Sequence, residues 1–156
     1  MLRSNYESKK GIYQLRNPRK YIGSLTDDGV LFRSSWEERM YYYMDHNRNV
    51  IEWSVESVIV PYLFTLDGKV HKYYPDIICK VQSDKGIKTY MLEVKPSKQT
   101  QEPTKPKNRS LDRKKRYEKE MFVYAKNRDK WKAANKYCNE HGLEFMLITE
   151  KHIFGK

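Results

Sequence analysis

Cysteine is scarce. Cys79 and Cys138 are the only two in 156 residues, and each falls in an apolar-patterned stretch. Two thiols are too few for a zinc site of the usual spacing, and both read as reduced core residues, with a single bridge between them left open. Long apolar runs are missing too: nowhere do about eighteen apolar residues follow one another, so no segment reads as membrane-spanning. The opening MLRSNYESKK lacks the apolar stretch of a secretory signal. The four histidines are scattered. His46 and His141 read as helix-end residues and His152 as a tail residue, while His71 can approach a polyanion but is a poor candidate for a catalytic base. No internal repeat is visible.

The last shortage is regional. Between Lys95 and Lys136 there are fifteen Lys and Arg but only five Asp and Glu, whereas the rest of the chain, with sixteen against fifteen, is close to neutral. A surplus confined to one segment suits a polyanionic partner, nucleic acid first, better than a solvated surface whose charge is spread evenly. The length favours one domain with a real core.

Residues 1–30 are polar and punctuated by glycine and proline, and they read as an N-terminal arm; 31–156 reads as the domain. In FRSSWEERMYYYMDHN, the residues Trp36, Met40, Tyr43 and Met44 recur at helical spacing behind a Ser34 or Ser35 cap, predicting a helix over about 35–46. VIEWSVESVIVPYLF is β-branched and aromatic and reads as strand. An Asp67-Gly68 turn leads into the next strand, and Asp84 with Gly86 marks a tight hairpin between KYYPDIICKV and GIKTYMLEVK. The stretch PSKQTQEPTKPKNRS, with three prolines and no periodicity, reads as a long functional loop. Helical spacing resumes at Tyr117, Met121 and Tyr124. Asn127 reads as the cap of a second helix that turns Trp131, Ala134 and Cys138 inward and stops at Gly142. LEFMLIT reads as a closing buried strand.

The hairpin makes the sharpest expectation. A connection symmetric about Asp84 and Lys85 sets Asp76 directly opposite Glu93 on one face, with Cβ atoms roughly 4.5–5.5 Å apart. Two opposed carboxylates repel unless a cation lies between them, and a hard divalent ion with oxygen ligands, Mg²⁺ or Mn²⁺, turns the liability into a site. Lys95 projects from the same face, about 7 Å along the strand from Glu93, where it can orient water or stabilise charge growing on a phosphate. Glu56 could face the same cleft but reads more simply as a solvated strand residue, and Tyr73 or Tyr74 can lie beside it.

Pro75-Asp76 followed after a hairpin by Glu93-Val94-Lys95 resembles the signature of the PD-(D/E)xK nuclease superfamily. The order, the apolar flanks and the downstream helix fit as well. The resemblance implies that Asp76 and Glu93 bind metal, that Lys95 supports the attacking water, and that a further carboxylate comes from an upstream helix. In RSSWE that residue is Glu37, with Glu38 as the competing choice; Ser34-x-x-Glu37 is also a capping box. More of the chain, from about Asn17 to Thr149, is similar to the head-completion nucleases of T-even-like bacteriophages through RSSWE, VIVPY, EVKPSKQTQEPTKP, DKWKAA and GLEFMLITE. That family implies a small metal-dependent endonuclease for double-stranded DNA. It also implies a minor virion component that contacts head, portal or neck proteins, at work in the virion and the host cytoplasm.

The expected architecture is therefore a single α/β domain with a restriction-endonuclease-like core, an αβββαβ-type mixed sheet flanked by helices. Glu37, Asp76, Glu93 and Lys95 are the expected catalytic set, the first three as metal ligands. Lys98 and the run Arg113, Lys114, Lys115 and Arg116 are the expected contacts to the DNA backbone. The competing reading is a virion structural protein that binds DNA or portal without cutting, though opposed carboxylates serve no purpose in a pure binder.

Overall fold

Ser34 opens the first helix: its hydroxyl accepts a hydrogen bond from the Glu37 amide at 3.1 Å, and α1 runs Ser35–His46. The computed structural model describes residues 8–108 and 110–155, so the first seven residues of the expected arm lie outside the described residues. The remaining strands are β1 (Gly11–Tyr13), β2 (Val30–Phe32), β3 (Val50–Val55), β4 (Val60–Phe64), β5 (Lys69–Tyr73), β6 (Ile77–Ser83), β7 (Gly86–Val94) and β8 (Glu144–Ile148). Helix α2 (Leu111–His141) lies between β7 and β8, and a short α3 (Glu150–Phe154) ends the chain.

The central sheet is mixed, in the order β3-β6-β7-β8. β6 is antiparallel to both β3 and β7, and β8 returns parallel to β7 after the α2 crossover. Alternation along β7 feeds two cores. Leu92 and Val94 join Trp36, Tyr41, Trp53 and Ile77 on the α1 side, while Met91 joins Tyr62, Phe64, Tyr73, Ala134 and Cys138 on the α2 side. Complete burial of Trp53, Ile77 and Met91 is worth about 1.5–3 kcal/mol for an aliphatic side chain, so the centre of the sheet is its best-anchored part. Among the described residues, no helix is long and apolar enough to cross a membrane.

Three local expectations need correction. The predicted pair of helices is one continuous helix of 31 residues, with Asn127 buried in its middle. Asn127 falls on the same inward stripe as Trp131, Ala134 and Cys138, so the periodicity runs through it without a break. The meander is also divided: β4 and β5 pair only with each other, as a separate two-stranded sheet that packs on α2. The division begins at Glu56, which leaves β3 in the left-handed region at φ 50 and breaks the extended run. Finally, β8 is the edge strand of its sheet, with Glu144 and Met146 exposed and only Ile148 fully buried. At the far end of α2, Gly142 stops the helix at φ 70, as the sequence suggests.

Residues 11–32 are tied to the domain by hydrogen bonds to Asp45 and by core packing. The fully buried Asp45 carboxylate accepts from the Tyr13 hydroxyl at 2.8 Å and from the Arg16 and Asn17 amides at 2.7 and 2.9 Å. Tyr21, Val30 and Phe32 then pack into the α1-side core. The packing is direct, and β1 pairs with β2 in register.

Candidate active site

The β6–β7 hairpin closes through a Ser83–Gly86 pair and keeps an unbroken antiparallel register down to Ile77 opposite Leu92. Extending that register by one residue sets Asp76 opposite Glu93, as expected from the symmetric turn. Pro75, wholly buried, delivers the chain into β6 at a position where the lost amide donor does no damage.

Each carboxylate is held by a defined partner. One oxygen of Asp76 accepts from the Val94 amide at 2.7 Å, and its carbonyl accepts from the Glu56 amide at 3.2 Å. Glu93 is only 4 % exposed. Its Oε2 accepts from the Tyr73 hydroxyl at 2.5 Å, and its Oε1 lies 3.3 Å from the Lys95 ammonium. Glu93 is thus clamped between a neutral donor and a cation, an arrangement that satisfies both oxygens of a buried charge.

Asp76 retains some open surface, but its carboxyl is set deep among protein atoms. Burial, and after it the charge of Glu93, push its pKa well above the ordinary aspartate range. The Tyr73 phenol is likewise pushed up, first by burial and then by Glu93. Glu37, on the first turn of α1, is half-buried and receives the Arg33 amide at 2.8 Å. Its pKa is raised, chiefly by burial, with Arg33 and Lys95 pulling the other way. The Ser34 cap and the Glu37 carboxylate therefore serve the helix start while Glu37 remains within electrostatic reach of Asp76 and Lys95. Glu38 points elsewhere, 3.9 Å from Lys9.

The sequence-predicted residues thus divide. Asp76, Glu93 and Lys95 come together at the open end of the hairpin, and Glu37 faces them from α1. As they stand, no three Asp, Glu, His or Cys side chains among the described residues converge closely enough to ligate one ion. Lys98 lies in a 3-10 turn (Ser97–Thr100), and Arg113, Lys114, Lys115 and Arg116 occupy the exposed first turns of α2. Lys98 and Arg116 line opposite walls of a cavity of about 620 Å³ between the proline-rich loop and α2. Of the two tyrosines, Tyr73 is the buried one that reaches the site, and Tyr74 is exposed. His71 stays within its own hairpin, 2.7 Å from Asp67 and stacked on Tyr62.

Residues 47–150, which contain β3 through β8 and all of this hairpin, match the family described as TnsA-like endonuclease N terminal. The chain belongs to this family. The match carries the restriction-endonuclease-like reading of the mixed sheet. Over 135 residues, 86 % of its length, the chain is also 34 % identical to the head completion nuclease of Enterobacteria phage T4, covering 87 % of that protein. No solved structure matches.

Two further residues stand near the site carboxylates: Glu56, which the sequence suggested more simply as a solvated strand residue, and Lys130, which the sequence reading missed. Glu56, at its left-handed φ of 50, pairs with Arg33 at 2.5 Å beside Glu37. Strain of this kind, of order 1–3 kcal/mol, collects at functional sites. Lys130, on the middle of α2, is half-buried with its ammonium 5.4 Å from the Tyr73 ring centre, on the Glu93 side of the sheet. The only sequence signal for Lys130 is its helical offset from buried Asn127 and Ala134.

Proposed function

We propose that this chain is a metal-dependent DNA endonuclease that acts in phage head completion. The observation that carries the proposal is the opposed pair Asp76 and Glu93, with Lys95 3.3 Å from Glu93. Keeping two carboxylates together in a crowded, partly desolvated place costs stability unless a cation shares the charge.

The donor set fits a hard divalent ion such as Mg²⁺ or Mn²⁺: the candidates are all carboxylates, with no thiolate or imidazole among them. Asp76 and Glu93 would hold it, with Glu37 joining from α1. When bound, such an ion supplies Lewis-acid charge stabilisation and a more acidic water. The protein's own groups do the rest. Tyr73 and Lys95 fix the orientation of Glu93, and the Val94 amide fixes Asp76. The Lys95 ammonium is placed to orient the attacking water and to offset negative charge that grows on the scissile phosphate.

The regional basic surplus, including Lys98 and Arg113 to Arg116, supplies the sequence-independent contacts that hold double-stranded DNA. The head-completion role, the association with head or neck proteins and the place in the virion rest on likeness to the phage T4 protein along nearly the whole chain.

Plasmid nicking in Mg²⁺ or Mn²⁺ tests the activity. Wild type should convert supercoiled plasmid to open circles, and Asp76→Ala, Glu93→Ala and Lys95→Ala should each lose that conversion. A wild type that never cuts sinks the enzyme, and three variants that cut like wild type sink the site. The same variants in a head-assembly complementation assay separate a catalytic role in the particle from a structural one.

A further inference from the structure

Lys130 is unusual among the many lysines of α2. It is half-buried, yet among the described residues it forms no salt bridge within 4.0 Å. Its ammonium instead sits 5.4 Å from the Tyr73 ring centre, and Tyr73 in turn bonds to Glu93. Four residues earlier, Lys126 is half-buried too, with its ammonium 5.9 Å from the Phe64 ring centre. Two turns nearer the helix start, the exposed Lys119 lines the 620 Å³ cavity under the proline-rich loop, together with Lys98, Arg116 and Tyr124.

At 100° per residue, Lys119, Lys126 and Lys130 fall within about 40° of one another around α2. They form one stripe beside the buried face, and Lys132 lies off it and is exposed. A half-buried ammonium over a ring, with no carboxylate within 4.0 Å and the Glu93 and Asp76 charges farther off, is costly to keep charged, and an anionic ligand beside it offsets that cost. Lys126, one turn away over the Phe64 ring, repeats the demand, and the exposed Lys119 continues the same line to the cavity.

Resting on the nuclease reading, we propose that Lys130 is a second phosphate-binding cation of the site, facing Lys95 across the carboxylates. One strand of the DNA substrate then continues from it along Lys126 and Lys119 to the cavity beneath the proline-rich loop. The stripe covers roughly 16 Å of helix axis, the length of about five nucleotides of strand. The surplus of basic residues on α2 is thereby split: Arg113 to Arg116 hold the duplex from outside, and this row guides the strand being cut. Tyr124, in the cavity wall, offers a ring on which a base can stack.

The test pairs nicking with binding. Lys130→Met keeps the aliphatic stem against Tyr73, Lys126→Met tests the next place on the stripe, and Lys132→Met is the exposed control. Each is first shown to melt at the wild-type temperature. Binding of a fluorescein-labelled duplex is followed in EDTA from about 50 to 200 mM salt, where each lost phosphate contact lowers the slope of log K against log salt by about 1. Lys130→Met and Lys126→Met should each lose about one unit of slope, Lys132→Met none. Lys130→Met should also nick about 10- to 100-fold more slowly, the size of one charge-assisted contact, and Lys130→Arg should recover most of the rate.

Slopes for Lys130→Met and Lys126→Met that match Lys132→Met overturn the strand path, even if nicking falls. A wild type that does not nick but shows the slope differences leaves the path standing and removes the nuclease reading. Equal slopes with an active wild type do the reverse.

Discussion

Two antiparallel hairpins lie next to each other in the chain, and their fates differ. β4–β5 turns one face to α2 through Val60, Tyr62, Phe64 and Tyr73, and leaves Leu63 and its cross-strand partner Val70 56 % and 70 % exposed. β6–β7 is exposed only towards its tip, and its open end is buried on both faces between α1 and α2. The two turns differ as well, four residues from Thr65 to the left-handed Gly68 in the first and two, Asp84-Lys85, in the second. Turn chemistry sets the register of each hairpin, and what packs against it decides whether a carboxylate on that hairpin is a solvated ornament or a constrained, electrically costly group. Tyr73, the last residue of the first hairpin, is where the two meet: it reaches across to Glu93 on the second.

The difference can be sharpened first at that junction. Tyr73→Phe keeps the packing and removes the donor to Glu93, and nicking should fall about 10- to 100-fold, the usual penalty for losing an outer partner of a metal ligand. His71→Ala, two residues earlier on the same strand, should leave the rate within about twofold because His71 bonds only within its own hairpin. Steady-state rates at fixed plasmid concentration decide. If the two substitutions behave alike, the meeting point is not functional.

A smaller effect comes from charge. Because the folded-state pKa of Asp76 is raised, the folded protein binds a proton there more tightly than the unfolded chain does. Its favourable contribution is complete below the ordinary aspartate pKa of about 3.9 and is lost as pH rises through the raised value. Asp76→Asn removes that loss. In thermal melts without divalent ions the variant should exceed wild type by about 2–4 °C at pH 7, or roughly 1 kcal/mol for a chain of this size, and the margin should shrink towards pH 4. A margin that grows on acidification contradicts the assignment.

The other hairpin should yield the smallest change, in stability alone. Asp129 on α2 accepts from both the amide and the hydroxyl of Thr65, each at 2.9 Å, and so pins the β4–β5 turn to the helix. Asp129→Ala should cost about 0.5 kcal/mol, the low end for exposed hydrogen bonds, seen as a lower midpoint in urea, with nicking at 25 °C nearly unchanged.

How much of this was legible in the sequence follows from the range of the forces involved. The α1 start and the β6–β7 register depend on neighbours in sequence, a serine cap and a two-residue turn, and both could be read directly. The family motif then attached the proposed chemistry to the open end of the hairpin. The continuity of α2 was not legible at Asn127, because a buried asparagine inside a helix and one that caps it look alike until the stripe on either side is seen to be continuous. The polar anchoring of residues 13–20 rests on Asp45, some 25–32 residues away, whose five hydrogen bonds leave no local mark. Lys130 was hidden for a related reason: in a helix rich in lysine, only the packing of Tyr73 and Glu93 against α2 singles it out.

The central claim is that Asp76 and Glu93, opposed across β6–β7, are the pair that holds a divalent cation. Titration of Mn²⁺ followed by electron paramagnetic resonance tests it without reference to cleavage, since bound Mn²⁺ drops out of the free six-line signal. Wild type should remove Mn²⁺ from solution, and the Asp76→Asn, Glu93→Gln double variant, folded and melting no lower than wild type, should leave the free signal at full strength. Equal uptake by both proteins would place the cation elsewhere and contradict the assignment of this hairpin as the metal site.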